Sequence, residues 1–347
     1  MKIAVLINHK TAAVSFSDVL KKLNHDIYIP LQCGIEVGAF SGKEVSAHRT
    51  LANMILDRHD LYNTSLNTTT IDDLYEELLT EFDAIITYHP INATLNQKLS
   101  RQFKVKVYVV LWGELDGVVL HQSMNSMMND FKRNNHSFIV CHKHLFKHIC
   151  FYHGMKYLPL GIPSYVEDMY STHTGHLNFI LIIQSRLNNS YWSEFKHLID
   201  FVASHNPDYT FVVCGKDNQD VKFSSQNIIT LYLKKHEDLL KFMSISKLMI
   251  CNNTGSTTLQ YSPIESACIG LPFIYHTKHT SLVSEIGKVP DFMYTSSDSC
   301  SERIRHLMKV DMNELKQKAM FQRKLADTRR LNSILPYWEF EFENIYK

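Results

Sequence analysis

Short apolar runs alternate along this chain with stretches whose apolar positions recur every three to four residues. That is the pattern of strand–helix–strand units built on a parallel sheet. In the first half the runs are Ile3–Ile7, Asp26–Leu31, Ala84–Tyr88, Val105–Leu111 and Ser137–Cys141. Helical spacing lies between them, as over Thr70–Phe82, where Asp73 follows Thr70 by three positions in a capping-box-like start. Tyr157–Pro163 is turn-forming and Glu167–His176 is polar without periodicity; then the alternation restarts. The second series has strands at Phe179–Gln184, Tyr209–Cys214, Ile228–Tyr232, Lys247–Cys251 and Pro272–Tyr275. Its helices span Tyr191–His205, Glu237–Ser244 and a segment from about Ser262.

The pattern predicts an α/β chain of two Rossmann-like, doubly wound domains, 1–160 and 161–330, facing each other across a cleft. Met312–Leu325 is amphipathic and Trp338–Tyr346 is rich in aromatic residues. Residues 331–347 therefore read as a C-terminal helix that either crosses back to the first domain or packs on its own. Ligands of open parallel sheets bind beyond the carboxyl ends of the strands, so the fold class locates a site without naming its chemistry.

Composition changes this picture little. The 347 residues suit two domains, and 45% hydrophobic with 20% charged residues describe a globular chain. The formal charge of +1 leaves no general electrostatic footprint for nucleic acid. The seven cysteines include no C-x-x-C pair and read as buried, reduced thiols of a cytoplasmic protein. The opening MKIAVLINHK has an apolar run too short for a signal peptide, and no stretch is long enough to span a membrane. Any membrane contact is expected to be peripheral, at the inner face.

The chemistry concentrates in KLMICNNTGSTTLQYSPIESACIGLPFIY, residues 247–275. A buried strand ends at Cys251, a loop of small polar residues follows, and a helix starts near Ser262 and Pro263, with Ser262 as a fair N-cap and Pro263 suited to the first turn. Glu265 is expected in that first turn, where loop amides and a helix N-terminus make an anion site. Such a carboxylate accepts hydrogen bonds from a ribose diol while the amides meet a diphosphate.

This order of strand, loop, Pro-Ile-Glu-Ser-Ala and Gly-Leu-Pro resembles the donor-site signature of GT-B glycosyltransferases. Upstream segments agree: FILIIQSRL (Phe179–Leu187), YTFVVCGK (Tyr209–Lys216) and the helix and strand over His236–Cys251. The resemblance covers about residues 135–290 and implies a nucleotide-sugar donor, UDP- or GDP-linked, with no tightly bound cofactor. It implies Glu265 on the ribose, Arg186 on the diphosphate and Gly215 near the nucleotide. Lys216, Ser262, Thr257 and Thr258 join them as candidate donor contacts, and Lys278 as a further phosphate candidate. The chain departs from the pattern of many retaining members at Thr257, where they carry a Glu, and at Tyr191, where they carry a Lys. Asn8–Ala12 also replaces an often glycine-rich loop.

An acid/base group is expected from the first domain, past strand ends. The candidates are Glu114, then His89, then Asp116; as a general base, such a group takes the acceptor hydroxyl's proton. Cys141, His142, His144, His148, Cys150 and His153 lie close in sequence, but no second cluster completes a zinc site, and a solvated histidine-rich helix is the expectation. No Asp-x-Asp triplet is present to hold a divalent ion, and a metal requirement stays open.

The resemblance implies sugar transfer to a hydroxyl acceptor, by default a glycan or lipid-linked acceptor in bacterial surface polysaccharide or lipopolysaccharide synthesis. Alternatives are a phage-type enzyme acting on hydroxymethylated DNA bases, a sugar-nucleotide epimerase, and a non-catalytic homologue.

Overall fold

The structure, a computed structural model, describes residues 1–7, 10–29, 75–76, 78–89, 93–111, 117–184, 187, 192–215, 218–233, 235–251 and 261–343. The chain divides into two compact units, Met1–Ser164 with Arg329–Lys347, and Tyr165–Thr328.

In the first unit the strands are β1 (Lys2–Leu6), β2 (Asp26–Tyr28), β3 (Ala84–His89), β4 (Lys106–Leu111), β5 (Ser137–Val140) and β6 (Met155–Tyr157). They pair in the order β2-β1-β3-β4-β5-β6, all parallel. Helices α1 (Lys10–Lys22), α2 (Ala93–Arg101), α3 (Gly117–Arg133) and α4 (Lys143–Ile149) connect them. Strand β4, KVYVVL, is buried from Val107 to Leu111, because helices cover both faces of a parallel sheet and leave no polar face. Residues 75–76 and 78–81 are helical; Thr70 and Asp73, the expected helix start, lie outside the described residues.

A four-residue helix, α5 (Ser164–Glu167), sits at the division between the units. The second unit has β7 (Leu177–Ile183), β8 (Thr210–Cys214), β9 (Ile228–Leu231), β10 (Ser246–Ile250), β11 (Phe273–His276) and β12 (Met293–Tyr294). Its parallel sheet runs β12-β11-β10-β7-β8-β9. Counted within the unit this is the 3-2-1-4-5-6 order of nucleotide-binding sheets, and the order reverses between β7 and β10. Helices α6 (Ser193–Ser204), α7 (His236–Ile245), α8 (Tyr261–Ile269), α9 (Thr280–Ile286), α10 (Ser297–Leu307), α11 (Met312–Lys318) and α12 (Arg323–Asp327) complete the unit.

The α/β reading with two doubly wound domains is borne out. Two strands were missed in the sequence. β6 has three half-buried residues and β12 only two, each at a sheet edge, too short for an apolar run to stand out.

The last helix, α13 (Leu331–Glu343), belongs to the first unit. Trp338 is buried there, its ring edge-on to Phe16 at 5.1 Å and stacked on Phe342 at 5.9 Å. Its indole N–H donates to the Pro159 carbonyl at 3.1 Å.

Candidate functional site

In the second unit the carboxyl ends of β7 and β10 flank the reversal of strand order, where a doubly wound sheet opens a crevice. Past β10 stands buried Cys251, whose thiol burial holds well above its usual range. Helix α8 then runs along YSPIESACI and is buried at every position but half-buried Ser262. Its end is built by glycine: Gly270 takes φ +94°, and the amides of Gly270 and Leu271 both donate to Ser266 O at 2.9 Å. A side chain at Gly270 would strain that left-handed turn.

Two expectations about this helix need correction. It begins at Tyr261, so Ser262 is its second residue and not its cap. Glu265 is the fifth residue, and the first turn carries no acidic group. The helix dipole therefore does less for this carboxylate than the sequence suggested, because that effect fades within one turn.

Glu265 is 4% exposed, the single charged group on an otherwise uncharged helix. A buried carboxylate is expensive unless something answers its charge. Here Oε1 lies 3.1 Å from His236 Nε2, at the start of α7. The distance is that of an ion pair, but Oε1 has no hydrogen-bond partner of good geometry among the described residues. The other ring nitrogen, His236 Nδ1, is 2.7 Å from the Tyr165 hydroxyl. Neither His236 nor Tyr165 was singled out from the sequence, because they stand 71 residues apart and no local pattern joins them.

The second loop group follows β7 and β8. A side chain on Gly215 would run into the backbone of Gln184, its Cβ falling 2.6 Å from that carbonyl carbon. Gly215 is thus required by close approach, with no positive φ involved. Asn218, 1% exposed, ties the two loops: its Oδ1 accepts from Leu187 N at 2.9 Å and its Nδ2 donates to Gln184 O at 2.5 Å. These bonds bracket residues 185–186. Asn218→Ala leaves both backbone groups without these partners and is expected to destabilise the unit by about 1–3 kcal/mol. Urea unfolding of the variant measures this, and a change below about 0.5 kcal/mol would show that water takes over both bonds.

In the first unit the strand order reverses between β1 and β3. His89 is the last residue of β3 and pairs in register with Leu111, the last of β4. Its backbone therefore stands at the carboxyl edge of the sheet, level with the end of β4.

Glu114, Asp116, Arg186, Lys216, Thr257 and Thr258, with Tyr191, lie outside the described residues. Of the remaining candidates, the second unit's fold brings together the carboxyl edge of β8, where Gly215 stands, and that of β10, which leads to Glu265. Lys278 is exposed two residues past β11.

The histidine-rich segment differs from expectation. His142 is 2% exposed, because it stands where the chain leaves β5 and enters α4, and burial holds it neutral with a pKa of about 3. His144 and His148 share a helix face with ring centroids 4.6 Å apart. Among the described residues no group of three or more His, Cys, Asp or Glu is placed to hold a metal ion. Of the cysteines, Cys150 is exposed, whereas Cys141, Cys214, Cys251, Cys268 and Cys300 are buried free thiols; Cys33 lies outside the described residues.

No family model and no curated protein matches this sequence. Solved structures do. A glycosyltransferase from Rickettsia africae ESF-5 superposes with a TM-score of 0.67 at 13% identity, covering 100% of this chain and 98% of that one. Sucrose-phosphate synthase from Thermosynechococcus elongatus gives 0.67 at 12% identity, with 100% and 99% covered. Anabaena Alr3699/HepE, solved in complex with UDP and glucose, gives 0.65 at 14% identity, with 99% of each chain covered. The chain has the GT-B fold.

Proposed function

We propose that this chain is a glycosyltransferase that moves a sugar from a UDP- or GDP-linked donor to a hydroxyl acceptor. One observation carries the reading: a buried carboxylate, Glu265, on an otherwise uncharged helix beyond β10, beside the reversal of strand order in a 3-2-1-4-5-6 sheet. A carboxylate of this kind, with Oε1 lacking a hydrogen-bond partner among the described residues, suits a ribose diol. The similarity to HepE, solved with UDP and glucose, supports the donor class.

Arg186, Lys216, Thr257, Thr258 and Ser262 are the proposed companions of Glu265 around the donor, with Gly215 letting the nucleotide approach the backbone. Glu114, then His89 and Asp116, are the proposed bases for the acceptor hydroxyl; Glu114→Gln is expected to lower turnover while donor affinity stays unchanged. A glycan or lipid-linked acceptor in surface polysaccharide synthesis fits the near-neutral charge better than DNA does. Among the described residues no helix is long and apolar enough to cross a membrane. The chain's Thr257 and Tyr191, in place of charged residues, favour one second reading, a nucleotide-sugar binder without turnover.

Thermal unfolding against a panel of nucleotide sugars and nucleotides tests the proposal. A donor at 100 times its Kd adds about 2.7 kcal/mol of stability. Glu265→Ala is expected to weaken that donor by about 1–3 kcal/mol through loss of charge-assisted hydrogen bonds. A folded variant that binds the donor as tightly as the wild type does removes Glu265 from the site.

A further inference from the structure

We infer that Tyr165 and His236 are positioning residues that hold Glu265 ready for a ribose diol, an inference that rests on the donor-site reading above. The three side chains come from three separate segments and meet in one line. The Tyr165 hydroxyl is 2.7 Å from His236 Nδ1, and His236 Nε2 is 3.1 Å from Glu265 Oε1. The rings of Tyr165 and His236 meet edge to face at 5.5 Å, which fixes the imidazole in plane as well as in distance. Both acidic and basic members are well shielded, the Glu265 side chain at 5% exposure and that of His236 at 16%.

The chemistry of this line is specific. A carboxylate facing Nε2 favours the tautomer that carries its proton there, which leaves Nδ1 to accept from the Tyr165 hydroxyl. That N–H faces Oε1 at 3.1 Å without making a hydrogen bond to it. Glu265 is thereby held in one orientation while Oε1 keeps its capacity to accept. A vicinal diol supplies two O–H donors, and a carboxylate already oriented loses no rotamer freedom when it receives them. A histidine that merely neutralised a buried charge would affect stability, but not the distinction between a ligand with the diol and one without it.

Calorimetric titration of the full chain separates these roles. The probes are UDP and GDP, each paired with its 2′,3′-dideoxy form; the proteins are wild type, Glu265→Ala, His236→Ala, His236→Gln and Tyr165→Phe. The wild type is expected to prefer one ribo form over its dideoxy form by about tenfold or more. His236→Ala is expected to lose most of that preference by weakening the ribo form alone. His236→Gln, whose amide still offers a donor, is expected to recover part of it, and Tyr165→Phe to fall between. A His236→Ala protein that keeps the full ribo preference overturns the inference and leaves Glu265 in place. If that variant does not fold, an undiminished preference in Tyr165→Phe, which removes a single oxygen, overturns it equally. A wild type that binds the ribo and dideoxy forms alike, or binds neither diphosphate, overturns the donor-site reading and this inference with it.

Discussion

Replacement of Trp338 by alanine is expected to destabilise the first unit by about 3–5 kcal/mol, the range for removing a large aromatic side chain from a packed core. Three losses combine. The indole is 1% exposed, so its whole apolar surface is given up and a cavity takes its place. Its edge-to-face contact with Phe16 in α1 and its stack on Phe342 both disappear. The Pro159 carbonyl, which accepts from the indole N–H at 3.1 Å, loses that donor. Against a total stability of about 5–15 kcal/mol for a domain, such a loss shows as a large fall in the unfolding midpoint. The neighbouring Tyr337 is 50% exposed and meets Tyr157 edge-on at 5.7 Å, so Tyr337→Ala is expected to cost only about 1 kcal/mol. Urea unfolding of the two variants checks the contrast, and similar midpoints for both would refute the packing described for α13.

The second large effect is acid destabilisation. Burial holds four histidines neutral, two in each unit: His136, pulled down to about 4, His142 to about 3, and His173 and His279 each to about 4. Their bonding explains why protonation is resisted. His136 Nδ1 accepts from Val107 N at 3.3 Å while Nε2 faces Gln102 O at 2.7 Å, a pattern that only the singly protonated ring satisfies. His279 Nδ1 accepts from Leu282 N at 3.4 Å as the cap of α9, and a proton there would abolish the cap. His173 donates to Ser246 O at 2.7 Å, and a second proton on its buried Nδ1 would find no acceptor among the described residues.

The unfolded chain protonates these rings near pH 6.5, well above the folded values. Between the two the unfolded state binds more protons, so stability rises with pH there and is lost as pH falls from about 6.5 toward 4. Each ring contributes about 1.4 kcal/mol per pH unit inside that window. From pH 7 to 5.5 the loss is about 1 kcal/mol per histidine, or about 2 kcal/mol in each unit. Thermal unfolding at pH 7, 6 and 5.5 measures it, and midpoints that stay level over that span would show that these rings are not kept neutral.

The sequence singled out Glu265 and Gly215 of the candidate donor site and little of what supports them. Glu265 was legible because a lone carboxylate in SPIESACIG breaks an uncharged stretch, and Gly215 because a glycine follows the apolar run FVVC. Ser262 was misread as a cap, since capping preference is local and the helix already includes Tyr261, which is buried at the first turn. Asn218 was not legible at all. It lies in the polar stretch KDNQD, and its function as a tie between two loops exists only once β7 and β8 are paired. His142 looked like part of a solvated histidine-rich helix, yet its place at the end of a buried strand put it in the core.

By itself, then, the sequence determined the strands of both parallel sheets wherever they are buried on both faces, because total burial leaves a local, near-continuous apolar record. It also determined the restart of the pattern after the polar stretch near residue 170, and the helix that carries Glu265. Only the tertiary structure decided the order of the strands, the edge strands β6 and β12, the unit on which α13 packs, and the meeting of Tyr165, His236 and Glu265. Those features depend on contacts between residues far apart in the chain. Periodicity reports how each segment meets solvent, and it carries no record of which distant partner takes the solvent's place.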